Sequence, residues 1–235
     1  MSFVVEGLRL LKDAADSSVR IQKLYFTESF GKKHSDELQQ LTQCADEVLE
    51  ISENVASRLS ETKSPQGVFG LCKIKNSGLN EEDVINGGRY LMLQNVQDPS
   101  NLGAAARSAE ALGISGLIVS GGCDIYSPKA LRASMGAFFR LPVMLPEDAE
   151  SFVQNVSKRG VQVFACVPDR DAFDIRKLDF SKPCVAVIGN EGNGITGSLI
   201  NKCTHRITIP MPGRAESLNA SHAASIVMWE MMRNG

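Results

Sequence analysis

Three stretches of this chain combine residue types that can do chemistry. The first is residues 95–113, NVQDPSNLGAAARSAEALG, where Asp98, Ser100 and Asn101 offer helix caps beside Arg107. Helical side chains lean toward the N-terminus, so Arg107 is expected to reach over Gly103 toward the Asp98–Asn101 loop, a place for an anionic group. An arginine snorkelling over alanines is the alternative. The second stretch is CVAVIGNEGNGI (184–195), an apolar strand running into Gly189, Asn190, Glu191, Gly192, Asn193 and Gly194. Glycines there let a ligand approach the backbone closely. The third is residues 207–232, where a stiff Pro210-Met211-Pro212-Gly213 turn precedes Arg214, Glu216, Ser217, Leu218 and Asn219. Ser217 is expected to cap a helix whose apolar face repeats at Ala220, Ala223, Ala224, Val227 and Met231. An exposed helix start beside a rigid strand end suits a ligand, although an ordinary strand–turn–helix has the same pattern.

The second stretch excludes two common phosphate binders. Its glycine spacing is wrong for G-x-G-x-x-G, and the acidic ribose reader expected about 20 residues on is absent, since Ile209-Pro210-Met211 stands there. No Lys-Ser/Thr pair follows, so it is not a P-loop, and Glu191 would repel a pyrophosphate. The expected cofactor is therefore not phosphate-rich.

These stretches need a frame. Residues 89–235 alternate apolar strands, expected near 89–96, 116–122, 139–145, 161–167, 184–189 and 206–211, with helices near 101–112, 128–136, 147–159, 194–202 and 217–232. Strands apolar throughout and separated by helices predict a mostly parallel sheet covered on both faces. A smaller α/β alternation precedes it, with helices near 6–15, 35–44 and 53–61 and strands near 21–27, 47–51 and 67–74. The polar, glycine-rich stretch 77–88 is expected to be the linker, dividing the chain into 1–76 and 89–235.

Composition bounds the rest. The 235 residues carry 25 Lys and Arg against 27 Asp and Glu, a formal charge of −2, so nucleic-acid affinity must come from a local patch. Lys129, Arg132 and Arg140 lie in a stretch without acids, and with Arg107 and Arg214 they could face five phosphates. A solvated helix face is the competing reading for each. The six scattered cysteines suggest buried free thiols in a reducing compartment. The three histidines do not cluster with them, so no metal is expected. No membrane span or signal peptide is evident.

Taken together, the three stretches resemble the motifs of the SpoU (TrmH-like) RNA ribose 2′-O-methyltransferases of the SPOUT superfamily. The matching residues are Asp98-Pro99, Asn101, Gly103 and Arg107, then Gly189, Glu191, Gly192 and Gly194, then Ile209-Pro210-Met211 and Ser217-Leu218-Asn219. Arg132-Ala133-Ser134-Met135-Gly136-Ala137 is also similar to the family, and residues 5–68 look like its L30e-like substrate-binding domain. The resemblance implies S-adenosyl-L-methionine as methyl donor, a deep C-terminal trefoil knot and a homodimer. It implies cofactor contacts at Gly189, Ile209, Leu218, Gly194, Met211 and Asn219, and catalytic roles for Arg107, Asn101, Glu191, Ser217 and Asn219. Guanidinium stays protonated above pH 12, so Arg107 is expected to grip a phosphate and orient the 2′-hydroxyl rather than act as a base. Lys129, Arg132, Arg140 and Arg214 are the expected RNA contacts.

The implied substrate is structured RNA, ribosomal rather than transfer RNA, with no role for DNA or a membrane, in the cytoplasm, a mitochondrion or a chloroplast. The alternatives are a tRNA-modifying enzyme and a catalytically idle RNA-binding member. A nucleotide-dependent oxidoreductase is disfavoured by the glycine spacing.

Overall fold

The computed structural model describes residues 2–17, 19–62, 64–73 and 78–233. Its larger sheet is built where the sequence is most continuously apolar. Strand β5 (Arg89–Gln94) has five of its six residues buried, as a central parallel strand requires. Around it stand β6 (Gly116–Ser120), β7 (Val143–Met144), β8 (Gln162–Cys166), β9 (Phe173–Asp174), β10 (Cys184–Ile188) and β11 (His205–Thr208). Their order is β7-β6-β5-β10-β8-β11-β9, and every pairing is parallel.

Side-chain alternation along the strands makes two cores. On one face Leu91, Leu93, Leu117, Ala186 and Ile207 pack with α6 (Pro99–Ala111) and α11 (Ala220–Arg233), whose Leu102, Ala106, Val227 and Met231 are buried. On the other, Tyr90, Met92, Val163 and Val185 meet α5 (Glu81–Asn86), α9 (Ala149–Lys158) and α10 (Gly197–Ile200) through Val84, Phe152, Val156 and Leu199. Two short helices, α7 (Pro128–Ser134) and α8 (Ala137–Arg140), lie beside α6.

The smaller sheet has the order β1-β4-β2-β3, from β1 (Ser2–Glu6), β2 (Arg20–Thr27), β3 (Ala45–Ile51) and β4 (Val68–Lys73). Its pairings are mixed, with β2 and β3 parallel and β4 antiparallel to both β1 and β2. Helices α1 (Leu8–Asp16), α2 (Glu28–Lys33), α3 (Ser35–Gln43) and α4 (Glu53–Leu59) complete this half. Helix α1 buries Leu10, Leu11 and Ala14 on one stripe.

Several expectations are corrected. Residues 2–6, outside every expected strand, form β1, because Phe3 and Val5 alternate inward. The strand expected at 139–145 is helix α8 followed by a two-residue β7: Met135 takes a left-handed φ of 51° and ends α7, and Gly136 starts a new turn. The stretch 77–88 holds α5, whose start is fixed by a capping box between Asn80 and Asp83. Residue 77 of that expected linker, with 74–76 at the end of the expected first domain, lies outside the described residues. The helix expected at 194–202 is only α10, and the one expected from 217 begins at Ala220. Among the cysteines Cys72 and Cys184 are buried but Cys44 is exposed, and burial pushes the Cys72 and Cys184 thiols up to about 12.

Candidate active site

The loops leaving the carboxyl ends of β5, β8, β10 and β11 converge, the usual place for a ligand on a parallel sheet. Helix α6 starts there because Pro99 stands in its first turn and Asp98 accepts a hydrogen bond from the Ser100 N–H at 2.9 Å. The β10 loop closes on itself: Asn190 and Gly194 exchange backbone hydrogen bonds of 3.0 and 2.9 Å. Inside that loop the Asn190 carbonyl oxygen of the side chain accepts from the Gly192 and Asn193 N–H groups, both at 2.9 Å. Its amide donates to the Asn95 backbone carbonyl, also at 2.9 Å, and so ties the β10 loop to the β5 loop.

Glu191 makes the second tie. One carboxylate oxygen accepts from the Asp98 N–H at 3.1 Å and from Asn101 Nδ2 at 2.9 Å, and the other accepts from the Gln97 N–H at 3.1 Å. Burial pushes this carboxyl up, yet the donors of Asn101, Gln97 and Asp98 outweigh it and hold the group below the usual carboxylate range. Asn101, only 8% exposed, then accepts through Oδ1 from Asn219 Nδ2 at 2.8 Å. Asn219 Oδ1 in turn accepts from the Ser221 N–H at 2.9 Å and the Ser221 hydroxyl at 2.7 Å. A single chain, Glu191–Asn101–Asn219, thus joins three stretches separated by up to 118 residues.

This corrects the expected cap. Asn219, not Ser217, satisfies the first N–H groups of α11, because the helix opens at Ala220 and an Asx side chain one residue earlier is in reach. Ser217 is exposed and lines a cavity of about 180 Å³ instead. That cavity is walled by Val167, Ile188, Gly189, Gly194, Ile209, Met211 and Leu218. Of the expected cofactor contacts only Asn219 is outside this wall. Gly189 is required there, since a Cβ would lie 2.2 Å from the Gly194 carbonyl carbon and 2.3 Å from the Ile195 nitrogen. Among the described residues no lysine or arginine lines the cavity, and the one acid there, Glu191, is already engaged.

Arg107 is exposed and makes no hydrogen bond or ion pair with the described residues. It does not lean over a bare Gly103: helix α7 fills that space, with the Ala130 carbonyl oxygen 2.5 Å from where a Cβ would stand. The expected basic patch is largely spoken for. Lys129 donates to Asp98 at 3.0 Å, Arg140 forms a forked pair with Glu110, and Arg132 turns to Glu61 and Glu6. Their acids come from outside residues 125–146, which is why that stretch looked uncompensated. Arg214 is exposed and has no such partner among the described residues. The sequence reading missed Asn190 and Asn95 as organisers of the loops. An Asx turn ahead of glycines was the available signal for Asn190, and Asn95, with a φ of 54°, had none.

A parallel sheet covered on both faces, with a cavity lined by no basic residue among the described ones beside a polar Glu–Asn–Asn chain, defines an α/β protein with a candidate ligand site and an arginine that has no partner among the described residues. Comparison with known proteins makes this specific. The SpoU rRNA Methylase family matches residues 88–229, and the MRM3-like substrate binding domain matches residues 1–70. The chain belongs to the SpoU rRNA methylase family. It is 28% identical over 231 residues to the 23S rRNA (guanosine(2553)-2′-O)-methyltransferase RlmP of Bacillus subtilis, covering 98% of this chain and 88% of that one. Among solved structures, the AdoMet-bound rRNA methyltransferase from Sinorhizobium meliloti is 33% identical with a TM-score of 0.83, covering 99% and 87% of the two chains. The AdoMet complex of AviRb from Streptomyces viridochromogenes has a TM-score of 0.84 at 26% identity, covering 99% and 89%.

Proposed function

We infer that this protein transfers a methyl group from S-adenosylmethionine to a ribose 2′-hydroxyl of structured RNA, and that its substrate is ribosomal RNA. The observation that carries the reading is the Glu191–Asn101–Asn219 chain, which sets the cofactor cavity beside the helix that bears the unpaired Arg107. The cavity fits the cofactor chemically. Its wall of glycine backbone, proline-bounded loop and aliphatic side chains suits an adenosine and a thioether chain, and lacks the basic cradle a phosphate needs. Gly189, Gly194, Ile209, Met211 and Leu218 would hold it. When bound, it supplies an electrophilic methyl on a sulfonium.

The protein's own residues do the rest. Arg107, without a hydrogen-bond or ion-pair partner among the described residues, holds the phosphate next to the target and so orients the 2′-hydroxyl. Asn101, Glu191 and Asn219 fix the helix and loop from which it projects. Ser217, on the cavity wall, orients the donor. Arg214 and the half-exposed Lys129 meet neighbouring phosphates.

The chain after β11 crosses back over β8 to pack α11 on α6, β10 and β5, which supports a trefoil-knotted C-terminus. Trp229 and Ile226, 57% and 37% exposed on α11, support a homodimer through that helix. Among the described residues no helix is long and apolar enough to cross a membrane. The proposed rRNA substrate is what argues for work in the cytoplasm or an organelle. The test is methyl transfer from S-adenosylmethionine to unmodified rRNA and tRNA offered separately. Transfer to rRNA in excess supports the reading; transfer to tRNA alone reassigns the substrate; transfer to neither identifies an idle member.

A further inference from the structure

The two sheets meet at α7, and the joint is more specific than packing alone requires. Phe3, on β1, stacks on Tyr126 with ring centroids 4.7 Å apart and lies 6.1 Å from Phe139. Beside this aromatic contact stands Glu6, whose side chain is only 8% exposed. Its carboxylate accepts from the Ser60 hydroxyl at 2.5 Å and the Thr62 hydroxyl at 3.0 Å. From the other half, Arg132 brings its guanidinium to within 3.8 Å of Glu6 and donates to Glu61 at 3.3 Å. Arg132 Nη1 is buried and has no hydrogen-bond partner among the described residues. The arginine is therefore committed to the joint and is held off ideal geometry at Glu6.

Helix α7 also touches the active-site loop. Lys129, one turn before Arg132, donates to Asp98, the residue that caps α6 and gives its own N–H to Glu191. The same helix fills the space over Gly103 so closely that no side chain fits between it and α6. One seven-residue helix thus carries an ion pair to the small half near its C-terminus and an ion pair to the Asp98 loop near its N-terminus.

We propose that Arg132 is a positioning residue that latches the small N-terminal half, through Glu61 and Glu6, onto α7 and so sets where RNA held by that half meets the active-site loop. The inference rests on the methyltransferase reading for its activity arm alone. It assigns Arg132 a role other than the phosphate contact its sequence setting suggests.

The sign of one substitution separates the two roles. Removing the carboxylate of Glu61 takes away a negative charge. If Arg132 contacted RNA, Glu61→Gln would free it and strengthen RNA binding. If Arg132 is a latch, Glu61→Gln loosens the joint. The latch predicts that Glu61→Gln lowers kcat/KM on structured rRNA about threefold and Arg132→Gln about tenfold. Both should leave S-adenosylmethionine affinity within about twofold, and Arg132→Lys should recover part of the loss. The dependence of RNA affinity on salt should keep its slope in Arg132→Gln, whereas loss of a phosphate contact would lower that slope by roughly one.

A readout independent of activity accompanies these. Hydrogen exchange of the β1 amides should quicken in Arg132→Gln and in Glu61→Gln, while the β5 amides stay unchanged. Tighter RNA binding by Glu61→Gln, a reduced salt slope in Arg132→Gln, or unchanged β1 exchange in both variants would overturn the latch. Absence of methyl transfer by the unaltered protein would overturn the methyltransferase reading and leave the exchange result to decide the latch.

Discussion

The loops at the carboxyl edge of the large sheet and the α7–α8 segment are both rich in polar residues, and they use them in opposite ways. In the loops, Glu191, Asn101, Asn219 and Asn190 use their hydrogen bonds to hold three distant stretches together, and Arg107 has no partner among the described residues. In α7–α8, Lys129, Arg132 and Arg140 all find acids, each from another part of the chain. A free arginine among satisfied neighbours is available to a substrate. A paired one has structural work already. Charge alone does not separate these cases; the partners do.

The sharpest break of this contrast is at Arg107. Arg107→Ala should lower methyl transfer by about 10²–10³-fold, with cofactor affinity unchanged, because it removes positioning and charge at the reacting hydroxyl. Arg107→Lys should recover little, since an ammonium lacks the planar fork. Undiminished turnover in Arg107→Lys would count against the phosphate-gripping role. Gly189→Ala comes next. Its Cβ would overlap the β10 loop, costing about 1–3 kcal/mol of strain, so S-adenosylmethionine binding measured by calorimetry should weaken roughly 10–100-fold.

Glu191→Gln probes the tie between loops. An amide can accept through one oxygen only and opposes an N–H donor with its own, so turnover should fall about tenfold, a charged hydrogen bond being worth about 1.5–3 kcal/mol. The pH dependence has a definite sign. The Glu191 carboxyl is held below its ordinary 4.5, so its contribution to stability is complete above that value and is lost as pH falls through the lower folded value. Unfolding midpoints followed between pH 6 and pH 3 should drop more steeply in the unaltered protein than in Glu191→Gln.

The smallest effect belongs to Arg140. Its pair with Glu110 is partly exposed, so Arg140→Gln should change stability by less than about 1 kcal/mol. RNA affinity should move less than twofold; a loss as large as that of Arg214→Gln would erase the distinction between paired and free cations.

Much of this was legible in the residues. Short apolar runs such as residues 90–93 and Cys184–Ile188, separated by helices, pointed to buried parallel strands, and the three polar stretches kept the order and spacing of a family. Capping was read two residues too early: Ser217 looked adequate locally, while Asn219 wins because it also reaches Asn101 across 118 residues. Phe139 and Arg140 looked strand-like, but the left-handed Met135 and Gly136 restart a helix there. Ion-pair partners were the least legible feature. Arg132 and Glu61 are 71 residues apart, and no local pattern announces that they meet.

The most direct test of the account uses rRNA methylated with radiolabelled S-adenosylmethionine and then hydrolysed in alkali. A methylated 2′-hydroxyl cannot attack the neighbouring phosphodiester, so the account predicts label in an alkali-resistant dinucleotide, nearly lost in Arg107→Ala and reduced in Gly189→Ala at limiting cofactor. Label recovered in single nucleotides, carried on the base, would contradict it.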